Sequence, residues 1–102
     1  MVVRHLMIFA EMGYSRAYED FHEELRAFLA LHFSQVESGL QGDSWFWIFD
    51  GGEKVAIDTF SSMKHQVKSQ RAGPHVQAVL ETLRSKYDLN VYENPMLEPH
   101  ED

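Results

Sequence analysis

Apolar residues recur at strand-like spacing in some stretches of this chain and at helix-like spacing in others. The first such stretch, residues 3–10 (VRHLMIFA), is apolar on both parities, which is typical of a strand covered on both faces. Residues 14–34 follow with apolar side chains at helical spacing, and Ser15 is placed to cap the first turn. The pattern therefore predicts a strand followed by an amphipathic helix.

The middle of the chain predicts a β-hairpin. Residues 34–44 are polar and contain several glycines and serines, which indicates a loop with a short extended piece at Val36. Two β-rich runs then flank Asp50-Gly51-Gly52, and glycine supplies the positive φ that tight turns require.

A two-residue turn decides which side chains of this hairpin share a face. One face is smooth and aliphatic: Phe46, Ile48, Val55 and Ile57. The other carries Trp45, Trp47, Phe49, Lys54, Ala56, Asp58 and Phe60. Because helices pack best on the smooth face, we expect the aromatic face to point away from them.

The last third predicts a strand, a helix and a final strand. Residues 63–69 alternate apolar and lysine-bearing positions, which is typical of a protected sheet edge. Residues 73–87 show the clearest helical stripe, with Pro74 at the first helical position. Residues 89–94 form a short polar strand, and residues 95–102 are interpreted as a flexible acidic tail.

Together these elements predict a single α+β domain over residues 1–94, with two helices on one face of a four- or five-stranded mixed or antiparallel sheet. The order is β-α-β-β-(β)-α-β, with the first two strands parallel and adjacent through a right-handed crossover. Whether residues 63–69 form a separate strand decides between a ferredoxin-like fold and a meander variant. The meander is favoured, because it places the lysine-bearing strand at the edge.

The aromatic face suggests an association surface formed by Trp45, Trp47, Phe49 and Phe60. Four such rings can exceed the roughly 300–600 Å² of the largest apolar patch on a typical monomer. Three covers remain open: a second copy of the chain, which is favoured; the C-terminal segment, through Tyr92, Met96 and Leu97; or an apolar ligand or different protein.

Composition narrows the function classes. The 102 residues carry a net charge of −7, which disfavours nucleic acids and membrane surfaces and would suit a basic protein partner. There is no cysteine, and Arg4 and His5 interrupt the first apolar run before it approaches a membrane span, so we expect a cytoplasmic protein.

Candidate chemistry is sparse. Glu19 and His22 have the spacing of carboxylate metal sites, but Arg26 lies one turn on, so this helix face is interpreted as solvated. We predict neither a metal nor a cofactor. Lys64, Lys68 and Arg71 cluster among only nine basic residues and form a candidate site for an anion or an acidic partner segment, unless they simply guard a strand edge.

The sequence thus favours a non-enzymatic binding module that self-associates through its aromatic face. The alternative is a small ligand-binding domain or enzyme acting on an apolar or aromatic compound at the same face. In that case Asp58, His65 or His5 would carry protons, and Asp58 is the best acid–base candidate because it projects among aromatic rings.

Overall fold

A computed structural model describes residues 6–13 and 18–98 of the chain. Within these ranges the protein is an α+β fold with an antiparallel sheet of six strands and two helices. The strands are β1 (Met7–Gly13), β2 (Val36–Gln41), β3 (Asp43–Asp50), β4 (Glu53–Asp58), β5 (Gln66–Ser69) and β6 (Asp88–Leu97); the helices are α1 (Tyr18–His32) and α2 (Pro74–Arg84).

The strand order is β2-β3-β4-β5-β1-β6, and every neighbouring pair is antiparallel. The α+β class is confirmed, whereas the prediction of four or five strands in a ferredoxin-like or simple meander order is wrong. Helix α1 carries the chain from β1 to the far edge of the sheet, and β2 to β5 then return strand by strand. The first two strands are therefore not adjacent, although they run in the same direction, since four antiparallel pairings separate them.

The glycine hairpin forms as predicted. Gly51 and Gly52 make the turn with φ of 56° and 86°, backbone conformations that residues with a side chain rarely adopt. This turn pairs Ile48 with Val55, and Phe46 with Ile57.

We call the face that packs against the helices the inner face and the opposite one the outer face. The inner face of β3 and β4 carries Phe46, Ile48, Val55 and Ile57, as the alternation of side chains along the two strands predicts. The buried core joins them to both helices, and its members include Phe21, Leu25, Phe28, Leu29, Phe46, Ile48, Val55, Ile57, Val67, Val76, Val79, Leu80 and Leu83.

Two predicted segments differ in the structure. Residues 36–41, expected to be mostly loop, form the edge strand β2, because an edge needs only partial burial and tolerates polar side chains. The predicted edge strand at 63–69 is instead β5, which spans Gln66–Ser69 and lies between β4 and β1. Lys68 is consequently buried on the outer face, where Asp58 and Glu98 neutralise it.

The C-terminal strand is longer than predicted. β6 continues to Leu97, three residues into the segment interpreted as a tail, and pairs Met96 with Ile8 across a register shift in β1. The predicted Ser15 cap, His5 and the last four residues of the tail lie outside the described residues.

The first prediction concerns Gly39, which faces Trp45 across the β2–β3 ladder. A Cβ at Gly39 would lie 2.5–2.6 Å from three atoms of the indole, so Gly39→Ala forces the ring to move. Overpacking of this kind costs about 1–3 kcal/mol of unfolding free energy. We expect a loss in that range by urea denaturation, together with altered tryptophan near-ultraviolet circular dichroism.

Gly13→Ala is the matched control, since a Cβ there meets its nearest neighbour at 3.5 Å, which is ordinary contact. Equal stability of the two variants would contradict the close approach of Trp45 to Gly39.

Candidate functional site

The outer face of β3 carries three aromatic side chains, Trp45, Trp47 and Phe49, which we call the aromatic strip. All three are half-buried, and the two indole centroids lie 4.6 Å apart at an interplanar angle of 40°. The neighbouring strands hold the indoles in place: Gly39 of β2 leaves room for Trp45, and Lys54 Nζ lies 4.3 Å from the Trp47 ring centroid. The strip therefore combines fixed ring positions with accessible apolar surface.

Phe60, the fourth predicted aromatic, follows β4 and is 54% exposed. Its backbone N–H donates to Asp58 Oδ1 at 3.1 Å, and its ring centroid lies 5.8 Å from Lys68 Nζ. Phe60 thus lies beside buried charges rather than on β3.

Those charges form a cluster of Lys68, Asp58 and Glu98. Lys68 Nζ donates to Asp58 Oδ1 at 2.5 Å and also to Glu98, which in turn accepts a hydrogen bond from Ser61 Oγ at 2.5 Å. The side chains of Lys68, Asp58 and Glu98 are 0%, 2% and 16% exposed. The cluster therefore links Glu98, which directly follows β6, to Lys68 on β5 in the middle of the sheet.

Burial raises the pKa of the Asp58 carboxyl, and the hydrogen bond from Lys68 only partly opposes that effect. Asp58 therefore has the perturbed acidity proposed for an acid–base group, but its Oδ1 already accepts hydrogen bonds from Lys68 and Phe60. The arrangement suits a structural ion pair.

The three basic residues predicted as an anion site lie in three different environments. Lys68 is enclosed by two carboxylates, and Arg71 Nε donates to Glu53 at 2.8 Å on the surface. Lys64 is exposed, and its backbone N–H donates to Ser62 Oγ at 3.2 Å. The structure therefore does not bring these cations together.

A second polar cluster, which the sequence reasoning missed, lies on the inner face. Ser44 Oγ is 2.6 Å from His22 Nδ1 and 2.7 Å from His65 Nε2, and the His22 ring stacks on Phe46 with centroids 4.6 Å apart. His22 is 7% exposed, and Ser44 and His65 are fully buried. The interpretation of His22 as part of a solvated helix face is wrong.

The backbone of Ser44 is fixed as well. Its N–H donates to Thr59 Oγ1 at 3.1 Å, and that hydroxyl donates to Asp43 Oδ1 at 3.3 Å. Burial lowers the pKa of His22, and burial together with the nearby His22 charge lowers the pKa of His65 to about 4. Both imidazoles are therefore neutral near pH 7.

The described residues contain no group of three or more His, Asp or Glu placed to hold a metal ion. Asp58 and His65, two of the proposed proton carriers, lie on opposite faces of the sheet, so they cannot act on one substrate together.

Shallow grooves flank Phe49 at one end of the aromatic strip. One, of about 260 Å³, is lined in part by Leu6, Lys54, Ala56 and Gln70. Another, of about 430 Å³, lies toward β2 and is lined in part by Val36 and Glu37. Concave surface is thus found next to the strip.

Comparisons with protein-family models, curated proteins and solved structures find no match. Neither helix in the described part of the chain is long and apolar enough to cross a membrane.

The second prediction concerns the buried ion cluster. Lys68→Met removes the cation and leaves Asp58 buried without its counter-charge, which typically costs about 3–5 kcal/mol. The folded-state pKa of Asp58 then rises further above its unfolded value, so the penalty is larger at pH 7 than at pH 5. Urea denaturation at pH 7 and pH 5 measures both effects.

Lys64→Met is the control for this variant, because it removes an exposed lysine four residues earlier. Equal losses for Lys64→Met and Lys68→Met, or a Lys68→Met penalty that grows toward pH 5, would contradict the role assigned to the cluster.

Proposed function

We propose that this protein is a binding module that self-associates through the aromatic strip. The proposal rests on one observation: Trp45, Trp47 and Phe49 keep accessible surface on the sheet face opposite both helices. Large aromatic side chains are enriched among the residues that contribute most to binding energy. Because Lys54 and Gly39 already fix the indoles, association would cost little side-chain entropy.

Charge placement around the strip favours a second copy as the partner. In the ladders around Trp47, Glu37 is its direct neighbour on β2, and Lys54 lies on β4 with its ammonium over the same ring. A face-to-face dimer about a two-fold axis along β3 would set β2 of one copy over β4 of the other. Glu37 of one copy would then lie near Lys54 of the other, one outer-face position apart along the strands. The surface would therefore be complementary in charge to a second copy of itself.

The C-terminal segment does not cover the strip within the described residues. Met96 and Leu97 lie on β6, which β4, β5 and β1 separate from β3. They are 52% and 64% exposed, so they are themselves uncovered. This placement supports a partner outside the chain.

A second candidate function is the binding of a small apolar or aromatic compound at the same face. It is favoured by the groove of about 260 Å³, where Phe49 and Ala56 offer apolar walls and Lys54 a cation. An aromatic carboxylate could place its ring on the apolar walls and its anion on Lys54, away from Glu53, which also lines the groove. Binding of indole-3-acetate at micromolar concentration to a monomeric protein, measured by isothermal titration calorimetry, would support this function over self-association.

The third prediction tests the dimer directly. Trp47→Ala removes the central ring of the strip, so we expect sedimentation velocity to show a dimer for the unchanged protein and a monomer for the variant. Leu31→Ala is the control: Leu31 is 82% exposed on α1, and its loss should leave the dimer intact. A monomeric wild-type protein at 100 µM, on the order of a weak-complex dissociation constant, would rule the proposal out.

The fourth prediction tests the pairing of charges across the dimer. Lys54→Glu would oppose Glu37 of the second copy with a like charge and weaken association about tenfold, which corresponds to roughly 1.4 kcal/mol. The double variant Lys54→Glu, Glu37→Lys exchanges the two charges and should restore the dimer. If the double variant associates no better than the single one, the proposed two-fold arrangement is wrong.

A further inference from the structure

We propose that His22, Ser44 and His65 form an acid-responsive latch that holds the first half of α1 on the sheet. The three residues come from α1, from β3 and from the segment before β5, and Ser44 Oγ joins them. This inference is independent of the proposed self-association.

The response of this cluster to acid follows from the number of hydrogens that the Ser44 hydroxyl and the two imidazoles can share. The Ser44 hydroxyl has one hydrogen, so it donates to one imidazole nitrogen and accepts from the other. Those hydrogen bonds are complete with two neutral rings, and also with one ring charged, but burial makes even that one charge costly. When both rings carry protons on the facing nitrogens, both donate to one oxygen and the hydroxyl hydrogen loses its acceptor.

The surroundings make a second charge costly. The His65 ring is fully buried, with the rings of Phe21 and Phe46 centred 5.8 and 5.9 Å away, and a charge on His22 opposes its protonation further. Two cations joined through one oxygen repel each other strongly in such a medium.

His22 faces charges of both signs on its own helix. Burial is the main cause that lowers its pKa, the Glu23 carboxylate raises that pKa, and Arg26 lowers it. On the sheet side, the carboxylate of Asp43 is linked to Ser44 through the Thr59 hydroxyl. Glu23 is itself bound to Arg26, so it offers limited compensation for a proton on His22.

Acid therefore favours the open state. Burial lowers the pKa of His65 from 6.5 to about 4, so the latch is fully stabilising above pH 6.5 and weakens as the pH falls toward 4. The opened state takes up the proton at ordinary pKa. Between pH 7 and pH 5 the two pKa values imply a rise of about 20-fold in the equilibrium constant for opening.

Opening would lift the N-terminal half of α1, because His22 lies in its second turn. Phe46, which is fully buried beneath the His22 ring, would become accessible. The C-terminal half of α1 keeps its own buried side chains, Phe28 and Leu29, in the core. The change is therefore local.

Nuclear magnetic resonance tests the latch in two ways. Titration of the imidazole signals should place the pKa of His65 below 5 in the folded protein. Amide exchange, expressed as protection factors, should show residues 19–25 losing about 20-fold in protection between pH 7 and pH 5. At both pH values these residues should be less protected than the β4 amides, because they exchange through the local opening rather than through global unfolding.

Variants separate the latch from general acid sensitivity. His65→Gln keeps an amide near the position of Nε2 but cannot titrate, so the loss of protection at pH 5 should disappear. His32→Gln, which removes an exposed histidine from the same helix, should keep it. If His65→Gln does not fold, His22→Asn places an amide near Nδ1 and removes the neighbouring charge, so the loss of protection at pH 5 should become smaller.

A His65 pKa near 6.5 would overturn the proposal. So would equal protection factors for residues 19–25 and for β4 at pH 5, which would mean that α1 opens only by global unfolding, or the same pH dependence in the variant as in the unchanged protein.

Discussion

The alternation of side chains along β3 is the constraint on which the rest of the structure depends. Ser44, Phe46 and Ile48 face the helices, and Trp45, Trp47 and Phe49 face away, because successive residues of a strand point to opposite sides. The Gly51-Gly52 turn fixes the register of this strand against β4. A slip of one residue would bury the indoles under the helices and turn the core outward. Both the aromatic strip and the inner histidine cluster exist only in the observed register.

Local periodicity was sufficient to predict the hairpin, the two helices and the parity of the aromatic face. It failed where an element's position depends on distant partners. Lys68 was expected at an edge because lysine usually remains in water, yet Glu98, thirty residues later in the chain, neutralises it at the centre of the sheet. The polar edge strand β2 was missed for a related reason: its stability comes from backbone pairing with β3 and requires no apolar alternation of its own.

The cluster of His22, Ser44 and His65 shows a second limit of prediction from sequence periodicity. Ser44 shares parity with Phe46 and Ile48, and His65 shares parity with Val67, so the sequence already indicated that both face the helices. His22 precedes Leu25 and Leu29 by three and seven positions, which is the spacing of a buried helical stripe. The charged neighbours Glu19, Glu23 and Arg26 concealed that signal. Even with all three placed, the distances to the Ser44 hydroxyl depend on how α1 crosses the sheet, and periodicity carries no information on crossing geometry.

The position of β1 has a consequence for how the chain reaches this structure. β1 is made before the other strands described, yet its partners are β5, which begins at residue 66, and β6, which begins at residue 88. Its backbone donors and acceptors therefore stay unpaired while most of the domain is being synthesised on the ribosome. Closing so large a loop is entropically costly and slows folding. Insertion of the earliest strand between the two latest ones would then be the step that completes the sheet, after translation has passed β6.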